Sequence, residues 1–128
     1  MLIGVPREIK TDENRVGLIP SSVRELVHHG HQVLVETHAG YGIGLDDDLY
    51  SAAGAVIAGT AEEVFAKADM IVKVKEPQAS EIKMLREGQI LFTYLHLAPD
   101  LAQTKGLIES GAIAIAYETV TSARGGLP

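Results

Sequence analysis

Met70-Ile71-Val72-Lys73-Val74 is a short, almost continuously apolar run, broken at once by Glu76-Pro77. A strand with one wet face alternates apolar and polar residues. A run without that alternation suits a strand covered on both faces, as in a parallel sheet. Similar runs recur along the chain at Leu2-Ile3-Gly4-Val5, Val33-Leu34-Val35, Ala55-Val56-Ile57-Ala58, Ile90-Leu91-Phe92-Thr93-Tyr94 and Ala112-Ile113-Ala114-Ile115-Ala116-Tyr117.

Helix signals lie between these runs. Pro20-Ser21-Ser22 opens one helix with a serine as N-cap, Val23, Leu26 and Val27 fall on one face, and Gly30 stops it. Asp46-Asp47-Asp48 opens a short helix through Ala53, with its acids at the positive end of the dipole. Thr60 and Glu63 have capping-box spacing and predict a helix from Ala61 to Lys67. Ser80 to Arg86, and Pro99-Asp100 towards Glu109, complete the set. Strands and helices alternate with short connections. The sequence predicts one doubly wound α/β domain over residues 1–128, a mostly parallel sheet with helices on both faces, of the Rossmann or flavodoxin kind.

Composition narrows the function classes. The chain of 128 residues has a net charge of -6, with 17 acidic residues against 11 scattered basic ones, which argues against a nucleic-acid partner. It has no cysteine, so disulfides, zinc-thiolate sites and cysteine nucleophiles are excluded. The start, Met1 to Lys10, carries a proline and charges where a signal peptide needs an apolar stretch. No apolar run approaches the roughly 20 residues that span a bilayer. The expectation is a soluble, cytoplasmic protein with no membrane partner.

In open α/β sheets, ligands bind beyond the carboxyl ends of the strands. Arg15 lies in the long loop after the first strand, Lys75 at the end of the fourth, His96 just past the fifth and Glu118 just past the sixth. Parallel strands would bring all four to one sheet edge. An arginine offers a planar fork that matches a carboxylate, and a lysine adds a compact positive charge that polarises a carbonyl oxygen. A histidine accepts and donates protons near neutral pH. The set suits a substrate whose carboxylate adjoins a carbon that changes between carbonyl and amine. Each residue also has a plainer reading: a solvated arginine or lysine, and a structural histidine between two leucines.

Other candidates carry less. His28-His29-Gly30-His31 offers adjacent histidines that point apart at a helix end, whereas a metal needs converging ligands. The Asp46–Asp48 run lacks the glycine and glutamate of a calcium loop. Gly40-Tyr41-Gly42-Ile43-Gly44 follows a strand, but its third glycine comes one residue early for the G-x-G-x-x-G dinucleotide fingerprint. Three aspartates then stand where pyrophosphate would have to bind. This segment is expected to be a flexible or tightly turned loop, and no residue is assigned to a cofactor or a metal.

The residues also carry a resemblance. Ile3-Gly4-Val5-Pro6-Arg7-Glu8 followed by Glu13-Asn14-Arg15-Val16 is similar to the start of the alanine dehydrogenase and proton-translocating transhydrogenase superfamily. Val33-Leu34-Val35-Glu36 and Ile71-Val72-Lys73-Val74-Lys75-Glu76-Pro77 fit the same family. Leu91-Phe92-Thr93-Tyr94-Leu95-His96-Leu97-Ala98 and Ala116-Tyr117-Glu118-Thr119-Val120 resemble the alanine dehydrogenase branch, since transhydrogenase subunits usually lack the histidine.

The resemblance implies reversible oxidative deamination of L-alanine to pyruvate and ammonium, with NAD as hydride acceptor. It implies that Arg15 and Lys75 hold the substrate carboxylate and carbonyl oxygen, and that His96 is the general acid/base. Tyr94 and Glu118 would be neighbours without an assigned role. Family members are nearly three times this length, and a nicotinamide-binding domain follows a segment like this one. The chain, ending Gly125-Gly126-Leu127-Pro128, is therefore expected to be the substrate-side domain of a longer two-domain dehydrogenase, inactive by itself. The NAD-binding domain would lie outside it. Uncovered apolar surface would favour self-association, and the family forms hexamers. Two alternatives remain: a transhydrogenase alpha-subunit domain or saccharopine dehydrogenase relative, and a non-catalytic small-molecule-binding or assembly domain.

Overall fold

The computed structural model describes residues 1–126, so Leu127-Pro128 of the ending quoted above lie outside the described residues. Six strands, β1 (Leu2–Val5), β2 (Gln32–Glu36), β3 (Val56–Ala58), β4 (Met70–Val72), β5 (Ile90–Thr93) and β6 (Ile113–Ala116), form one sheet. Its order is β3-β2-β1-β4-β5-β6, and every described neighbour pair is parallel. The chain winds outward from β1 to one edge, crosses back, and winds outward from β4 to the other. The boundary between β1 and β4 is thus a topological switch point, where such sheets open a crevice at their carboxyl ends.

Five helices connect the strands: α1 (Pro20–His28), α2 (Asp47–Ala52), α3 (Ala61–Lys67), α4 (Ala79–Ile82) and α5 (Leu101–Ser110). Strand alternation splits the core in two. Val5, Val33 and Val35 face α1 and α2 and pack with Val23, Tyr50 and Ala53. Leu34, Ile71 and Leu91 face the other way and pack with Val64 and Phe65 of α3 and Leu107 of α5. Gly4 makes that second layer possible, because a Cβ there would lie 2.7 Å from the Ala68 and Val64 side chains. Helices therefore cover both faces, as the apolar runs implied.

The cover is unequal. On the α1 side, beyond β4, no helix lies among the described residues. Ile90 and Phe92 are half-buried there, while Ile113 and Ile115 on the edge strand are 53% and 40% exposed.

Several local expectations needed correction. α1 begins at Pro20 with Ile19 as N-cap and no side-chain cap, so the serine cap does not form. Proline needs no N–H partner and fixes its own φ, which makes it a sufficient start. α4 closes at Ile82 instead of reaching Arg86, since the next backbone bonds tighten to Met84 N–H on Glu81 and Leu85 N–H on Ile82. β4, β5 and β6 end before Lys73-Val74, Tyr94 and Tyr117, respectively. Asp46 and Thr60 do cap their helices, accepting from Leu49 and Glu63 backbone N–H groups.

Candidate active site at the carboxyl edge

The loop after β1 reaches across the switch point. Glu8 is buried at its start, Glu13 is nearly so, and Arg15 is exposed. Gly17 lets this loop lie directly on the end of β4, because a Cβ there would sit 2.6 Å from the Val72 carbonyl oxygen. Gly40–Gly44 is a tightly turned segment: a 3-10 turn, Tyr41–Ile43, lies within it, and Gly42 rests against Asn14.

Arg15 grips Glu13 with a two-pronged hydrogen bond, Nε to Oε2 at 2.9 Å and Nη2 to Oε1 at 2.6 Å, and its backbone N–H adds a third at 2.9 Å. The Arg15 hydrogen bond holds the Glu13 carboxyl down to about 2, and the nearby Lys75 charge adds to that effect. A guanidinium has five N–H donors. Two are spent on Glu13, so the remaining ones can meet a second carboxylate without breaking the pair.

Lys75 follows β4. Its ammonium stands 5.3 Å from the centre of the Tyr94 ring, a cation–π contact. Tyr94 in turn stacks on His96, with centroids 5.5 Å apart and planes 16° apart, and its hydroxyl lies 2.9 Å from His96 Nδ1. With Nδ1–H donating to the tyrosine oxygen, the neutral imidazole keeps its lone pair on Nε2, which is then free to take a proton from a substrate.

His96 has φ +47°, in the left-handed region. Such strain in a non-glycine residue persists only where its surroundings enforce it. Glu118 supplies the constraint, accepting from His96 N–H at 2.8 Å and Leu95 N–H at 3.1 Å. Burial raises the Glu118 carboxyl, but these N–H bonds outweigh it and hold it below the ordinary carboxylate range. Gln103 secures the other side of the turn, donating to the Leu95 carbonyl at 2.8 Å.

The sheet edge thus brings Lys75, Tyr94 and His96 into one contiguous group, with Glu118 behind His96. Arg15 stands beside this group; its charge is felt by Tyr117, whose ring centre is 6.5 Å from that of Tyr94. Position relative to the strand ends does not single out Glu8, Glu13 or Tyr117. Lys73, between Val72 and Val74, was a signal for Glu8: a lysine in a buried run requires a carboxylate partner.

The remaining candidates separate. His29 meets Glu25 at 3.0 Å and His31 meets the Met1 amino group at 3.5 Å, so the histidines diverge. Among the described residues, no group of three or more His, Asp or Glu side chains could hold a metal. No helix among the described residues is long and apolar enough to cross a membrane. The glycine loop does not fit a dinucleotide. Position 40 requires glycine because a Cβ there would lie 2.6 Å from the Leu45 carbonyl oxygen, and the helix that follows has six residues, with Asp47 turned back onto Thr37 and His38.

Residues 4–128 match the family model for the alanine dehydrogenase/PNT N-terminal domain. The chain belongs to this family. Alanine dehydrogenase of Methanococcus maripaludis is 55% identical over all 128 residues, which is 34% of that protein. That of Mycobacterium tuberculosis is 51% identical over the same span and share. A solved L-alanine dehydrogenase superposes with TM-score 0.96 at 50% identity, covering 100% of this chain and 35% of its own. The transhydrogenase from Sinorhizobium meliloti gives TM-score 0.88 at 30% identity, with 97% of this alanine dehydrogenase/PNT domain covered and 37% of that chain. The chain therefore spans about a third of the length of the curated relatives it matches.

Proposed function

We propose that residues 1–128 are the substrate-side domain of an NAD-dependent L-alanine dehydrogenase, which interconverts L-alanine with pyruvate and ammonium. The single observation that carries this reading is the Lys75–Tyr94–His96 group beside Arg15 at the switch point. The family membership and the dehydrogenase relatives support it, and the share of their length that the chain spans supports a second domain.

In this reading Arg15 binds the substrate carboxylate with the donors that Glu13 leaves free. Lys75 supplies the second positive charge, shared between the carboxylate and the carbonyl oxygen. His96 is the general acid/base: it takes a proton from the water that adds to the imine carbon, then moves protons on the carbinolamine as ammonium leaves. Glu118 fixes the backbone that presents the ring. No residue of this chain is assigned to the cofactor, since nothing in the glycine loop suits a dinucleotide; NAD bound by a domain outside this chain would supply the hydride acceptor. The isolated domain would be inactive, the protein cytoplasmic, and the full-length enzyme a homo-oligomer, a hexamer on the family pattern.

The test is alanine-dependent NAD reduction by the full-length enzyme carrying this sequence. His96→Ala should lower the rate by about 10²–10⁴-fold, the usual contribution of a general acid/base. A wild-type rate in that variant would remove His96 from the mechanism. Saturation with alanine, but not with saccharopine or NADPH, separates this reading from saccharopine dehydrogenase and transhydrogenase activity.

A further inference from the structure

The segment after β4 leaves the sheet ladder, yet its backbone is held at nearly every polar atom by side chains. Glu8 accepts from Val74 N–H at 3.2 Å and Lys75 N–H at 3.0 Å. Thr93 Oγ1 donates to the Lys75 carbonyl at 2.7 Å. The Tyr117 hydroxyl donates to the Val74 carbonyl. Lys75 is therefore clamped on its N–H by one loop and on its C=O by the neighbouring strand.

Glu8 is itself held. The Lys73 ammonium lies 3.0 Å from Glu8 Oε1 and 3.2 Å from Glu81 Oε2, and all three side chains are at most 2% exposed. Glu81 Oε1 accepts from Gln78 N–H at 2.9 Å, which fixes its end of the bridge to α4. Two carboxylates and one ammonium are thus buried together. Replacing buried ion clusters with apolar side chains is often neutral or stabilising, so stability alone is a weak reason for this one. Position is a better reason. A charge that binds a reacting carbonyl must stand within about 0.5 Å of its place.

We propose that Glu8, oriented by Lys73, and Thr93 are positioning residues that set where the Lys75 ammonium meets the substrate. The inference rests on the reading of Lys75 as a substrate anchor. Glu8 and Thr93 need touch no reacting atom. They act through the Lys75 backbone, and the side chain above it follows.

A double-mutant cycle in the full-length enzyme tests this. Glu8→Gln keeps the shape and one acceptor but loses the charge. Thr93→Val is nearly isosteric and removes only the donor to Lys75, so it carries the test if Glu8→Gln folds poorly. Each should lower kcat/KM for pyruvate, by about tenfold for Glu8→Gln and somewhat less for Thr93→Val, since misplacement by about 1 Å costs up to about 10²-fold. The KM for pyruvate should rise while that for ammonium stays unchanged, a split that simple loss of folded enzyme does not produce. In a Lys75→Met background neither change should lower kcat/KM further. If both losses persist at full size there, or if only the melting temperature falls, the positioning inference is overturned. If Lys75→Met alone leaves kcat/KM for pyruvate unchanged, the substrate role of Lys75 fails first and the inference falls with it.

Discussion

Arg15 and Glu13 form a planar, two-pronged ion pair, Nε to Oε2 at 2.9 Å and Nη2 to Oε1 at 2.6 Å, at the mouth of the candidate site. The guanidinium is oriented in advance by a carboxylate two residues away. A pair of this geometry restricts a long side chain that solution would otherwise leave free.

The first prediction concerns acid stability. The Arg15 hydrogen bond lowers the Glu13 carboxyl from 4.5 to about 2 in the folded protein. A depressed carboxyl contributes stability that is full above its unfolded value and is lost as pH falls through the folded one. Urea denaturation should therefore show a loss of stability from Glu13 between pH 4.5 and about 2. Glu13→Gln should flatten the curve in that window and leave its shape above it unaltered. An identical pH profile in the variant would show that the pair contributes nothing.

The second concerns the turn at His96. Glu118→Ala leaves the N–H groups of Leu95 and His96 without their acceptor. Losing it should destabilise the fold by about 1–3 kcal/mol. The midpoint of urea unfolding measures this. Glu118 also has a lowered carboxyl, so its contribution should fade as pH falls below the ordinary carboxylate range. Wild-type stability in Glu118→Ala would mean that the left-handed His96 needs no external support.

The third concerns the buried charges. Lys73→Met strands the Glu8 and Glu81 carboxylates, each at most 2% exposed, with no cation. Breaking such a cluster should cost about 3–5 kcal/mol. Adding Glu81→Gln should recover part of the loss, since burial already raises that carboxyl and favours its neutral form. Thermal melts of the single and double variants give the comparison.

Much of the fold was legible because buried parallel strands leave an unmixed apolar signature. Each of the six runs became a strand. Their order was not legible, because the switch between β1 and β4 is set by contacts far apart in sequence. The strands stop short of their apolar runs for a related reason. Val74, Tyr94 and Tyr117 look like strand residues, but side chains take over the backbone bonds around Lys75 and His96 just where the ladder stops. The candidate residues Lys75, His96 and Glu118 could be placed by their position past strand ends. Glu8 and Glu13 could not, because a carboxylate in a polar loop looks solvated until the loop is folded back over β4.

The half-bare face of the sheet adjoins the site edge through direct contacts. Phe92 lies in that apolar strip, and its ring meets the Tyr117 ring edge-on at 5.5 Å. Tyr117 in turn holds the carbonyl of the residue before Lys75. One chain of contacts thus runs from the apolar underside to the charged rim. A layer packed onto Ile90, Phe92, Ile113 and Ile115 would touch a ring that stands one contact away from the phenol bonded to the backbone before Lys75.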